Sequence, residues 1–319
     1  MNSTSKAKNK NSPQLISFGG GKGGIGKSII CSNVAVCLSQ LGFKVLLVDF
    51  DLGGANAHTC LGIQKTDRGL SDFTSGRSQS LESVITKTEV HNLDIISGAL
   101  DDLNITDLDG TKALELIGYI SYLKYDYILL DLGAGTSAFT ISLFNSSDEK
   151  VIVSTPEPTS IENAYRFMKV AFYKKLKTLE KELGLEELLE SAMNKSGSKN
   201  IKTPADLIKY VAQQDFEKGE TLSHSIKDYH YYVLINQCRT QQDRELSHAM
   251  KSISQKYFGI SVDSLGYIDF DNSAWQALRK RLPIVIALPY SVLTSGFFRI
   301  SKDLSKKWSA ATQKNKKAA

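Results

Sequence analysis

The sequence predicts an α/β fold: a doubly wound, mostly parallel sheet flanked by helices. Three observations carry the prediction. Short apolar runs rich in leucine and β-branched residues alternate with longer stretches of helical periodicity, as in a sheet buried on both faces. Several of these runs end in an acid or amide, at the strand edge where open α/β sheets bind ligands. The first of them is followed at once by a glycine-rich loop that opens a helix.

Taken in order, Leu15-Ile16-Ser17-Phe18 reads as a buried strand and residues 28–41 as a helix that Gly42 terminates. Between them lies Gly19-Gly20-Gly21-Lys22-Gly23-Gly24-Ile25-Gly26-Lys27-Ser28. The frame Gly21-x4-Gly26-Lys27-Ser28 is the phosphate-binding loop pattern in the strand-to-helix setting that it requires. Glycines let backbone N–H groups converge on an anion, and the following helix turns its positive end toward it. Lys27 is read as the cation on the β- and γ-phosphates and Ser28 as a Mg²⁺ ligand. The chain is therefore expected to bind a nucleoside triphosphate through Gly21, Lys22, Gly23, Gly24, Ile25, Gly26, Lys27, Ser28 and Ile29.

The next strand, Lys44 to Val48, ends at Asp49-Phe50-Asp51-Leu52-Gly53-Gly54-Ala55-Asn56. Two carboxylates one residue apart at a strand's carboxyl end suit a Mg²⁺ shell and the orientation of an attacking water. Alone the pair is a weak signal, since acids often finish strands. Residues 80–88 read as a short helix and Leu93 to Gly98 as a strand and turn. Asp101, Asp102, Asp107 and Asp109 have neither fixed spacing nor a histidine, and read as a solvated loop rather than a metal site. After a helix over 112–123, Tyr127-Ile128-Leu129-Leu130-Asp131 has the form of a Walker B strand, with Asp131 holding Mg²⁺ through water. The glycine-hinged Leu132 to Thr136 follows, then a strand at Val151 to Thr155 and a helix capped by Thr159 or Ser160 that reaches about residue 175.

Residues 176–230 interrupt the alternation. A charged helix over 176–193, a loop over 194–199 and a helix capped by Thr203 with Pro204 behind it read as an insertion. A docking or dimer-supporting lid and a surface excursion remain equal readings. Strands at Tyr232 to Gln237 and Val262 to Asp269 follow, with helices over 243–257 and 272–280. In the final helix Phe297, Ile300, Leu304 and Trp308 share one face, read as core packing rather than a membrane anchor.

Composition sets the limits. At 319 residues with 41% hydrophobic and 23% charged residues, the chain is expected to be cytoplasmic, with no signal segment or membrane span. Cys31, Cys37, Cys60 and Cys238 form no CxxC pair, which speaks against a disulfide framework or metal cluster. The net charge of +5 resides in the termini: +3 over residues 1–13 and +5 over 302–319, leaving the body at −3. The organisation expected is a disordered basic arm (1–13), one ATPase domain (14–305) containing the insertion, and a basic tail (306–319). Specific nucleic-acid binding is not expected of an acidic body.

Lys22-Gly23-Gly24-Ile25-Gly26-Lys27-Ser28 resembles the deviant Walker A motif of the MinD/ParA family, KGGxGK[ST], at every position, and Asp49 to Asn56 resembles that family's DxDxGxxN. The resemblance covers residues 14–305 and implies a SIMIBI-type P-loop fold, ATP and Mg²⁺. It implies that Lys22 reaches across an ATP-dependent homodimer to act catalytically beside Lys27. By the same resemblance Asp51 positions the hydrolytic water, Asp49 is a magnesium-side acid, and Asn56 lies at the dimer interface. Asn236 matches the residue that reads adenine, with the Asp269–Asp271 loop beside the base. Pro156-Glu157-Pro158-Thr159, with Ala164-Tyr165, resembles the PEPTxxxxAY segment of the family's flagellar-number regulators, the FlhG/FleN branch. That branch implies a slow regulatory ATPase with a polar or flagellar protein partner, in transient contact with the inner membrane or cell pole. The arm carries no DQAxxLR-type segment, and the insertion is foreign to short family members. Three readings stand: a spatial-switch ATPase (with DNA or cargo partitioning as a sub-reading), a metal-cluster carrier, and a module that holds ATP only as a structural ligand.

Overall fold

The computed structural model describes residues 12–52, 54, 56–64, 66–98, 108–186, 204–227, 229–258 and 261–317. The expected arm up to residue 11, Asp101, Asp102 and Asp107, the loop over 194–199 and the Thr203 cap lie outside these residues. Eight strands form one sheet: β1 (Gln14–Gly19), β2 (Val45–Phe50), β3 (Thr86–Lys87), β4 (Leu93–Ile96), β5 (Tyr127–Leu132), β6 (Glu149–Ser154), β7 (His230–Cys238) and β8 (Ser261–Asp269). Their order is β3-β4-β2-β5-β1-β6-β7-β8, and only β3 runs antiparallel to its neighbour. This is a doubly wound, mostly parallel architecture with helices on both faces. Every residue of β1, β2, β4 and β5 is buried, which explains why these strands are mostly apolar on both faces.

Alternate side chains feed two cores. Leu46, Val48, Ile128 and Leu130 join Leu116, Phe144 and Phe167 on one face. Ile16, Phe18, Leu47 and Leu129 join Ile30, Val34 and Phe297 on the other. Between β1 and β2 runs α1 (Lys27–Gln40), closed by a Schellman motif: Phe43 N–H donates to the Leu38 carbonyl at 3.3 Å and Gly42 N–H to that of Ser39 at 3.0 Å, with Gly42 at φ 95°. Short helices α2 (Ala57–Cys60) and α3 (Leu70–Thr74) follow β2. Next come α4 (Gly110–Ile120), α5 (Ala138–Ser146) and α6 (Pro158–Leu183). Then α7 (Pro204–Gln214) and α8 (Phe216–Lys227) precede β7, and α9 (Gln241–Phe258) precedes β8. The chain ends with α10 (Ser273–Arg279), α11 (Ile284–Ala287) and α12 (Val292–Lys317).

The structure departs from the sequence reading in four places. Residues 80–88 hold one 3₁₀ turn, Glu82–Val84, and then β3, because the Lys87 ammonium reaches the buried Asp94 carboxylate at 2.7 Å and draws the segment onto β4. Asp109, grouped with the acidic loop, is the N-cap of α4: its carboxylate accepts from the N–H groups of Thr111 and Lys112, both at 2.9 Å. α6 does not break near residue 175. No glycine or proline follows Pro158 before Gly184, and buried Phe172, Leu176 and Leu179 continue one stripe. Ser160 does not cap it either; its hydroxyl accepts from Thr155 N–H at 3.0 Å, and the helix begins behind Glu157. The two helices after α6 are built into the core through Val211, Leu222 and Ile226. No helix among the described residues is long and apolar enough to cross a membrane, and the four cysteines are buried and free.

Candidate active site

The glycine-rich loop lies at the carboxyl end of β1, beside the carboxyl ends of β2 and β5. A methyl group on Gly21 would overlap the Asn163 carbonyl of α6, and one on Gly26 the Asn236 amide. Gly24 and Gly26 adopt φ of 75° and 88°, which only glycine takes without strain. α1 starts without a side-chain cap and without an acid in its first turn, so its positive end faces the loop uncompensated. Lys27 is 6% exposed, and among the described residues its ammonium reaches only the Lys22 carbonyl, at 3.5 Å. Burial lowers its pKa, against the opposing pull of Asp131 and Asp51.

Register sets the acids side by side. Asp49 on β2 pairs with Asp131 on β5, and Asp131 with Phe18 on β1. Asp49 accepts the N–H of Asp51 at 3.0 Å and of Ala57 at 3.1 Å, which anchors the first turn of α2. Both Asp131 oxygens are buried with no partner at full hydrogen-bonding geometry, and the Ser28 hydroxyl lies near enough to act on the carboxyl. Burial, then the Asp49 charge, pushes the Asp131 pKa up, while Ser28 and Lys27 draw it down. A buried carboxylate without a well-formed hydrogen bond, beside a buried ammonium and a hydroxyl, fits a Mg²⁺–phosphate group as the missing partner. Asp51 lies by the glycine-hinged loop after β5: a methyl on Gly133 would stand 3.3 Å from its carboxylate.

The remaining predicted residues are placed as follows. Lys22, half-exposed, donates to Glu157 at 2.8 Å and to the Thr159 hydroxyl at 3.2 Å within its own chain, so only Lys27 is aimed at the phosphate position. Asn56 is exposed and its amide donates to the Gly54 carbonyl. The Asn236 amide donates to the Ile25 carbonyl at 2.8 Å, fixing the loop from a strand 211 residues away. A cavity of about 520 Å³ opens beside it, lined by Ile29, Asp269, Phe270, Trp275 and Phe297 among others. Its walls are tied down: Arg244 holds Asp269 at 2.9 Å, and the Arg239 guanidinium stacks 3.5 Å over Phe270. Sequence reasoning missed Glu157, Asn163 and Trp275 as site walls, and placed Phe270 only within the Asp269–Asp271 loop. The PEPT segment was the signal for the first two; nothing local marks Trp275.

Residues 13–185 match the AAA domain family. The flagellum site-determining protein YlxH of Helicobacter pylori is 36% identical over 166 residues, which cover 51% of this chain and 55% of that one. The match therefore spans about half of that relative's length. The antiactivator FleN of Pseudomonas aeruginosa is 23% identical over 290 residues, covering 91% of this chain and 85% of its own. Among solved structures, the septum site-determining protein MinD of Pyrococcus horikoshii, in complex with Mg-ADP, aligns with a TM-score of 0.60 at 23% identity, over 92% of this chain and 96% of that one.

Proposed function

The chain belongs to the AAA domain family, among the FlhG-like MinD/ParA proteins, and from that premise we propose that it is a Mg²⁺-dependent ATPase working as a spatial switch. In this reading it is a monomer when empty or ADP-bound and a face-to-face dimer with ATP. It serves flagellar number or placement, or the positioning of a pole or division site, as the names of its relatives suggest. The observation that carries the ATPase reading is Asp131, buried without a well-formed hydrogen bond on either oxygen beside Lys27 and Ser28.

The roles follow from position. The N–H groups of residues 23–29 surround the phosphates, and Lys27, already desolvated, supplies a full charge to them. Ser28 and Asp131 would hold Mg²⁺, which neutralises charge on the β- and γ-phosphates when bound. Asp49 keeps the β2 end and α2 in place and stands on the metal side; Asp51 orients the attacking water. Asn236 and Asp269 flank the adenine. Lys22 completes the partner's site, which requires it to leave Glu157 when the dimer forms. A second cation on the transferring phosphoryl group lowers the barrier by stabilising its charge. Asn56 lies at the same interface. The partner is a polar or flagellar protein, with brief contact at a membrane surface.

The test is solution mass of an Asp51→Ala variant with Mg-ATP and with Mg-ADP, beside turnover of the unchanged chain. Doubling with ATP alone supports the switch. One mass in both states removes the dimer from the reading, and absent turnover removes the ATPase.

A further inference from the structure

A second cavity, of about 750 Å³, opens at the opposite end of the sheet, beneath the amino ends of β2, β4 and β5. From Lys44 to Asp49 is five residues of strand, roughly 17 Å, so it is separate from the phosphate loop. Its floor is polar although the surrounding sheet is apolar. Asp94, 7% exposed, receives the Lys87 ammonium and the Tyr125 hydroxyl on the same oxygen, both at 2.7 Å. Lys87 and Asp94 thus cancel. Lys44 and Lys124 also line the cavity, both exposed, and neither ammonium has a partner among the described residues. His91 and Asn92 stand beside them, the latter in a left-handed turn at φ 62°. Glu82 is the one lining acid without a partner among the described residues, so the uncompensated charge is positive. Tyr122, 84% exposed, leaves an aromatic face to water at the rim.

We propose that this cavity binds a small organic anion carrying a planar ring, an aryl phosphate in chemical class. The volume lies in the range of small-molecule sites. Lys44 and Lys124 take the anionic group, and Tyr122 covers the ring. The arrangement differs from the nucleotide site in kind: exposed ammonium groups take the place of a glycine cradle, and the ligand enters from the amino edge of the sheet.

Phenyl phosphate is the probe. It is titrated into the full chain by ligand-observed NMR, with the unchanged protein, Lys44→Ala/Lys124→Ala, Lys27→Ala and Tyr122→Ala compared. Saturable binding that persists in Lys27→Ala and under excess Mg-ADP, and weakens about tenfold or more in the double variant, is expected. Tyr122→Ala weakens phenyl phosphate and leaves inorganic phosphate unchanged. Binding that vanishes in Lys27→Ala or with Mg-ADP, but survives in the double variant, would place the probe at the phosphate loop and overturn the proposal. So would the absence of saturable binding.

Discussion

Asp49 and Asp131 sit side by side on adjacent strands, both fully buried, and differ in what their oxygens meet. Asp49 accepts two backbone N–H groups and belongs to the architecture of the β2 end. Asp131 accepts none. A buried strand-end carboxyl without a well-formed hydrogen bond destabilises an empty protein, because the donors that water supplied are not fully replaced. Of two residues with the same side chain and burial, one builds the site and the other awaits a ligand. That distinction lies in the hydrogen bonds.

Asp131→Asn tests the difference hardest. Turnover should fall by about a hundredfold or more, as when a charge-stabilising group is removed, while the nucleotide-free protein keeps or raises its melting temperature. A stable, fully active variant would break the contrast. Asp49→Ala should act the other way, leaving the buried Ala57 N–H and the part-buried Asp51 N–H without their acceptor at about 2 kcal/mol of stability, read by chemical denaturation.

The pH dependence sharpens the pair next. The Asp131 carboxyl is raised from 3.8 to about 8 and that of Asp49 to about 7, so the folded chain holds protons that the unfolded chain has released. Stability without nucleotide should therefore be full below about pH 4 and fall as pH rises toward those folded values. Denaturation midpoints across that window should show the slope, and Asp131→Asn should flatten it. The smallest effect belongs to Asp109, which also accepts two backbone N–H groups but in water. Asp109→Ala should lower the melting temperature slightly and leave turnover unchanged.

Much of the site was legible because its signals are local. The phosphate loop, Asp49, Asp51 and Asp131 each lie within a few residues of a strand end, and parallel topology gathers strand ends at one edge. What was not legible depends on distant partners. Lys22 meets Glu157 across 135 residues, and Asn236 meets Ile25 across 211. Within elements, the charged surface of α6 near residue 176 imitates a boundary, whereas its buried stripe, visible only once packed, runs through. Thr86 and Lys87 form a strand because Asp94 waits on β4, which no local propensity encodes.

The length of α6 has a mechanical consequence. Its 26 residues form a rod of about 39 Å. One end touches the phosphate loop, where Asn163 packs on Gly21 and Glu157 and Thr159 hold Lys22. At the other, the Gly184 carbonyl accepts from Lys218 of α8 at 3.0 Å. One helix thus joins the glycine-rich loop to α8 as a single continuous span, buried along one stripe from end to end.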